Sequence, residues 1–178
     1  MQNLLAQALL QAPVTLAAPE PDGAALAEAT QAIKDRPRRM VGRTIAIREV
    51  DAGSCNGCEL EVHAMNNPFY DVERFGIRFV ASPRHADLLL VTGPVACNMR
   101  EGLERTYAAT PAPNWVVAVG DCACHGGVFK RSYACVGAVK DVVPVDVHIP
   151  GCPPTPTDLL KGFLALLKAI EDHPPVRG

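Results

Sequence analysis

From residue 43 onward the sequence alternates between two hydrophobic rhythms. Thr44–Val50 is rich in β-branched residues, and Asp87–Thr92 contains the unbroken apolar run Leu88-Leu89-Leu90-Val91. Short apolar runs of this kind suit strands of a parallel sheet that is covered on both faces. Ile77–Val80, Trp115–Val119 and Val145–Ile149 have the same character. Between them the spacing turns helical. Cys58–Asn66 is helix-compatible and stops at Asn67-Pro68, and Met99, Leu103 and Tyr107 share one side of a segment that Pro111 and Pro113 end. Asn98 with Glu101 predicts the cap of that second helix. Thr155-Pro156-Thr157-Asp158 opens a closing helix, whose Leu159, Leu160, Phe163, Leu166, Leu167 and Ile170 make a wide core-facing stripe. Strands alternating with helices predict an α/β domain with a mostly parallel sheet and helices on both faces. Ligands in such folds bind beyond the carboxyl ends of the strands.

Residues 1–42 stand apart as an N-terminal extension to the domain expected over residues 43–178. Leu4, Leu5, Ala8 and Leu9 fall on one helical face, Pro19–Gly23 makes a break, and Ala24–Lys34 has an Ala-rich helical pattern. Two short helices without a core of their own need something to dock on. The extension therefore reads as a partly ordered tail or as a partner-docking arm.

Composition narrows the function classes. The chain has 178 residues, 48% hydrophobic and 20% charged, which is the profile of a soluble globular protein. Its net charge of −2 supplies no basic field for nucleic acid. No stretch approaches the roughly 18 consecutive apolar residues of a membrane span. No basic region precedes Leu4-Leu5, and Arg43 and Arg48 interrupt what would follow a twin-arginine signal at Arg38-Arg39. The expectation is a cytoplasmic chain. Seven cysteines, an odd number in a chain of this size, fit a reducing compartment better than a disulfide scaffold.

The cysteines change the picture most. Asp51-Ala-Gly-Ser-Cys55-Asn-Gly-Cys58 places two thiols straight after the first expected strand. Gly120-Asp121-Cys122 and Pro150-Gly151-Cys152-Pro153-Pro154 each place another after a later one. A lone Cys-x-x-Cys is weak, since redox dithiols and zinc knuckles share it. Four thiols at one sheet edge can enclose an iron-sulfur cluster or a zinc ion. Zinc ribbons usually pair two Cys-x-x-Cys knuckles, whereas here the third and fourth thiols stand apart in glycine- and proline-bounded loops, which tilts the reading toward a cluster. Gly57, Gly120, Gly126, Gly127 and Gly151 would let backbone amides approach the sulfurs, or would serve as ordinary turn residues. Spacing alone leaves Cys122 and Cys124 interchangeable, and Cys97 and Cys135 read as small buried residues.

In order along the chain, Cys55-Asn-Gly-Cys58-Glu, Ser82-Pro-Arg-His-Ala-Asp87, Val91-Thr-Gly-Pro94, Val119-Gly-Asp-Cys122, Gly126-Gly-Val-Phe129 and Val145-Asp-Val-His-Ile-Pro-Gly-Cys-Pro-Pro154 make up a distinctive series. The series resembles the small subunit of energy-converting, membrane-bound NiFe hydrogenases, of the formate hydrogenlyase and hydrogenase-4 type. That family is homologous to the complex I subunit that carries the terminal cluster before quinone. The resemblance covers about residues 44–170.

The resemblance implies a flavodoxin-like domain with one proximal 4Fe-4S cluster on Cys55, Cys58, Cys122 and Cys152, leaving Cys124 as a neighbour. The complex I subunit has adjacent cysteines where this chain separates Cys55 from Cys58. Uptake-hydrogenase small subunits continue into further cysteine- and histidine-rich sites, and no cysteine follows Cys152 here. The implied function is electron transfer between a hydrogenase large subunit and a ferredoxin-like iron-sulfur subunit, with membrane subunits as indirect partners. The place implied is the peripheral arm on the cytoplasmic side of the inner membrane. Glu59 and Glu61 could relay protons or form a solvated or ion-paired helix face, and Arg74, Arg84 and His85 could balance cluster charge, face a partner or simply lie on the surface. The alternatives are a complex I-like NADH or ferredoxin:quinone oxidoreductase subunit, a thiol-disulfide oxidoreductase using Cys55 and Cys58, and a structural zinc module.

Overall fold

Five strands, β1 (Ile45–Asp51), β2 (Ile77–Phe79), β3 (Leu88–Thr92), β4 (Trp115–Val119) and β5 (Val147–Ile149), pair all in parallel in the order β2-β1-β3-β4-β5. This computed structural model describes residues 23–33 and 44–172. The order is that of the flavodoxin-like doubly wound fold, so the expected fold class is the observed one. The central strands read as continuous apolar runs because both faces are covered. Leu88, Leu90, Val117 and Val119 point into one core, shared with Val62, Met65, Leu159, Phe163 and Leu167. Leu89, Val91, Val116 and Ala118 point into the other, shared with Leu103, Ala123 and Val139. The helices α2 (Gly57–Ala64) and α5 (Pro156–Asp172) cover the first face, and α3 (Arg100–Ala109) and α4 (Gly120–His125) the second. An additional helix, α1 (Gly23–Ile33), lies against α5.

Two aspartates set the sheet's register at its amino edge. Asp87 donates its N–H to Ala46 O at 2.8 Å, and its Oδ2 accepts the Ala46 N–H at 2.9 Å. Asp146 does the same with Val116, at 2.9 Å and 2.7 Å. Each side chain thereby extends the backbone ladder by one bond where the strands begin. This also shortens β5 relative to the expected Val145–Ile149, because Asp146 uses its carboxylate where a further strand residue would pair.

Helix α5 starts as expected. Pro156 is its first residue, Thr155 Oγ1 accepts the Asp158 N–H at 3.3 Å, and Asp158 Oδ2 accepts the Thr155 N–H at 3.2 Å. The start of α3 differs from expectation. Met99, not Asn98, occupies the cap position, with no side-chain cap bond, and its N–H is held instead by Ala96 O at 2.9 Å. The helical pattern read over Leu4–Leu9 lies outside the described residues.

Arg74, Arg84 and His85 sit in short 3-10 turns that lead into β2 and β3. They therefore lie at the amino edge of the sheet, separated from the carboxyl edge by the length of a five-residue strand, about 16 Å. Arg74 there lies 4.7 Å from the Phe75 ring centroid and 3.9 Å from Asp71. The expectation that these residues balance charge at a cysteine site does not hold, because parallel pairing carries them to the opposite end.

Candidate metal centre

At the carboxyl edge the chain leaves β1 through a turn built on Asp51. Its Oδ1 accepts the N–H groups of Gly53 and Ser54 at 2.8 Å and 2.7 Å, and Ser54 Oγ accepts the Asn56 N–H at 3.0 Å. Asn56 is left-handed, at φ 70°, and α2 begins directly after it. The result is an exposed Cys55 on the loop and a half-buried Cys58 in the first turn of α2. Cys122 lies in α4, which starts directly after the last residue of β4 with no intervening loop, and Cys152 sits on the exposed loop after β5. The sequence pattern read Gly120-Asp121-Cys122 as a loop, since six residues are too few to show helical periodicity.

Close approach ties these segments together. Gly120, at φ +85°, faces Cys58 so closely that a Cβ there would fall 2.5 Å from its Sγ. Gly127, at φ +49°, stands in the same relation to Cys122, at 2.8 Å. Gly126 and Gly151 pack instead against Lys130 and Pro154, so they serve the turns and not the sulfurs. The Asp121 N–H donates to Gly151 O at 2.8 Å, and Asp121 Oδ1 accepts the Gly151 N–H at 2.9 Å.

The electrostatics group the same four thiols. Burial pushes the Cys58 thiol up to about 12, helped by Glu59 and then by Cys122, Cys55 and Cys152. Burial also raises Cys122, reinforced by Cys152, Cys55 and Asp121 and opposed by a backbone hydrogen bond from Val128. Cys122, Cys55 and Cys152 thus lie near enough to Cys58 to resist its ionisation, an effect that bound positive charge would relieve. An all-thiolate set of four suits zinc as well as an iron-sulfur cluster. A zinc ribbon pairs two Cys-x-x-Cys knuckles, whereas here Cys122 lies on α4 and Cys152 on the loop after β5, which favours a cluster.

The remaining cysteines are elsewhere. Cys124 turns toward β4, where its Sγ donates to Ala118 O at 3.5 Å, and burial pushes it up to about 11. Cys135 is half-buried, and Cys97 is exposed with its Sγ 3.7 Å from Tyr133 O, so the reading of Cys97 as a buried residue fails. Beside the site Glu59 is only 7% exposed and neither of its carboxylate oxygens has a hydrogen-bond partner, which rules out the solvated helix face. Glu49 Oε1 is also unpaired, and burial, then Glu59, raises that carboxyl. Leu60, Val128 and Phe129, all exposed, flank the cysteine segments. Sequence reasoning missed Asp51 and Asp121 as organisers of the site. Their only signal is an acidic residue immediately before a glycine- or cysteine-bearing turn.

Comparison with known proteins now adds to the geometry. The family described as NADH ubiquinone oxidoreductase, 20 Kd subunit, matches residues 55–166. Formate hydrogenlyase subunit 7 of Escherichia coli (strain K12) is 42% identical over 151 residues, covering 85% of this chain and 59% of that protein. The chain thus spans less than two thirds of that relative's length. The probable membrane-bound hydrogenase subunit mbhJ of Pyrococcus furiosus is 44% identical over 132 residues, covering 74% of this chain and 79% of that one. A solved chain from the membrane-bound sulfane sulfur reductase, an archaeal respiratory membrane complex, matches with a TM-score of 0.67 and 33% identity, over 78% of this chain and 76% of its own. Motif order, strand order and these likenesses agree: the chain belongs to the family of the NADH ubiquinone oxidoreductase 20 kDa subunit, iron-sulfur electron-transfer subunits of complex I-like and hydrogenase complexes.

Proposed function

We propose that Cys55, Cys58, Cys122 and Cys152 hold one 4Fe-4S cluster, and that the chain passes single electrons between a hydrogenase-type large subunit and a ferredoxin-like subunit. The observation that supports this is the packing of the three cysteine-bearing segments on one another: a Cβ on Gly120, two residues before Cys122, would meet both Cys58 Sγ and Gly151 O, and one on Gly57 would meet both Cys55 Sγ and Pro153, whereas Cys124 turns toward Ala118 O. The cluster would supply one-electron redox chemistry. The chain's own residues do the rest. Asp51 and Ser54 shape the Cys55 turn, Gly120 and Gly127 leave room for the sulfurs, and α2 buries one side of the site.

Exposed Cys55 and Cys152, with Leu60, Val128 and Phe129 exposed in the segments that follow Cys58 and Cys122, make up the rim on which the large subunit docks. Such apolar exposure beside a functional edge suits a permanent interface. No helix among the described residues is long and apolar enough to cross a membrane. The likeness to subunits of membrane-bound complexes supports reading the chain as part of a peripheral arm on the cytoplasmic side that reaches membrane subunits through partners. Residues 1–42 serve as the docking arm, of which α1 rests on α5, and residues 43–178 as the cluster domain.

The thiol-disulfide alternative needs only Cys55 and Cys58 and leaves the close approach of the Gly120 backbone to Cys58 and to Gly151 without a role. A second reading has support from the likeness to the sulfane sulfur reductase: the same electron relay joined to a large subunit that does not turn over hydrogen. The relay itself is tested by anaerobic purification with iron and sulfide analysis and electron paramagnetic resonance. Four irons, four sulfides and one paramagnet per reduced chain are expected; zinc, or thiols alone, would sink the proposal. Hydrogen turnover by the assembled complex separates the two readings.

A further inference from the structure

We propose that Asp121 is a positioning residue that staples the Cys122 segment to the Cys152 loop, so that the third and fourth ligands are held as one rigid unit. The inference rests on the cluster reading above. Cys122 is fixed by α4, which continues directly from β4, whereas Cys152 sits exposed on the short loop between β5 and α5. The bridge between them is the reciprocal pair: Asp121 N–H to Gly151 O at 2.8 Å and Gly151 N–H to Asp121 Oδ1 at 2.9 Å.

Geometry leaves little else for this task. Gly151 lies at φ +139°, and a Cβ on it would fall 2.6 Å from Pro154 Cα, so the loop already folds tightly back on itself. Its N–H therefore points to a fixed place, and Asp121 is the side chain that meets it. The same reciprocal device appears with Asp87 and Ala46 and with Asp146 and Val116, where it sets strand register. Of these three pairs, the Asp121 pair is the one that joins two cysteine-bearing segments. Asp121 also places a carboxylate one residue from Cys122.

The test compares Asp121→Ala and Asp121→Asn with the wild-type chain in its complex, purified without oxygen. Outer-shell losses of this kind typically cost about 10–100-fold in metal affinity, so Asp121→Ala should surrender its iron to about 10–100-fold less chelator. Asp121→Asn keeps an Oδ1 acceptor and should retain iron like the wild type, while loss of the charge moves the cluster's midpoint potential upward. Amide exchange at Gly151 should quicken in Asp121→Ala and not in Asp121→Asn, with or without iron. Equal iron retention and equal Gly151 exchange in Asp121→Ala and wild type would overturn the staple, as would Asp121→Asn behaving like Asp121→Ala. A wild-type chain free of iron and sulfide would overturn the proposed function, and Gly151 exchange would still decide whether the staple exists.

Discussion

A Cβ on Gly120 would fall 2.5 Å from the Sγ of Cys58. The two residues come from different strand ends, so their contact is where the first and second of the three ligand-bearing segments meet. The φ of +85° at Gly120 adds a backbone penalty of about 1–2 kcal/mol for any other residue. Gly120→Ala should therefore displace Cys58 and cut iron retention about tenfold or more. Iron analysis against chelator concentration measures this, and an unchanged titration would show that Cys58 tolerates the shift.

Cys122 and Cys124 are distinguishable by substitution. Cys124 donates to Ala118 O and faces the second core, away from the thiol group. Cys124→Ser should keep the full paramagnetic signal, and Cys122→Ser should lose it or convert it to a three-iron form. The reverse pattern, read by electron paramagnetic resonance, would move the ligand to Cys124.

Asp87 is predicted to matter for folding and not for the site. It is 6% exposed and accepts the N–H of fully buried Ala46 at 2.9 Å. Asp87→Ala leaves that donor unsatisfied, which costs about 1–3 kcal/mol. A drop of several degrees in Tm is expected, with the spectrum of any bound cluster unchanged.

High pH should weaken the cluster-free chain. Cys58 and Cys124 are held at about 12 and about 11, above an ordinary thiol near 9. Above pH 9 the unfolded chain releases these protons while the folded chain keeps them. Stability is then full below pH 9 and falls as pH rises through 11 to 12. Denaturant melts of the reduced chain at stepped pH test the sign, and Cys124→Ser should flatten the decline.

Much of this protein was legible in its residues. Leu88-Leu89-Leu90-Val91 can be apolar without a break only if both faces of its strand are covered, so the layered α/β fold follows from one run. The Cys-x-x-Cys turn and the two later cysteines marked the strand ends because tight glycine turns must follow buried strands. Short elements were harder. α4 spans less than two helical turns, too little for a period to emerge, and α3 starts without the side-chain cap that Asn98 suggested.

The sequence by itself determined the alternation of elements, the edge at which the thiols collect and the family, since each depends on local patterns and their order. Only the tertiary structure decided what depends on contacts between distant segments. Cys122 joins the thiol group and Cys124 does not, because α4 turns one sulfur toward Gly127 and the other toward Ala118. Glu59 is buried and Arg84 lies at the far edge, because packing and parallel pairing place them there. Asp121 reaches Gly151 across 30 residues of chain, a distance over which spacing carries no information and only the folded sheet brings the two together.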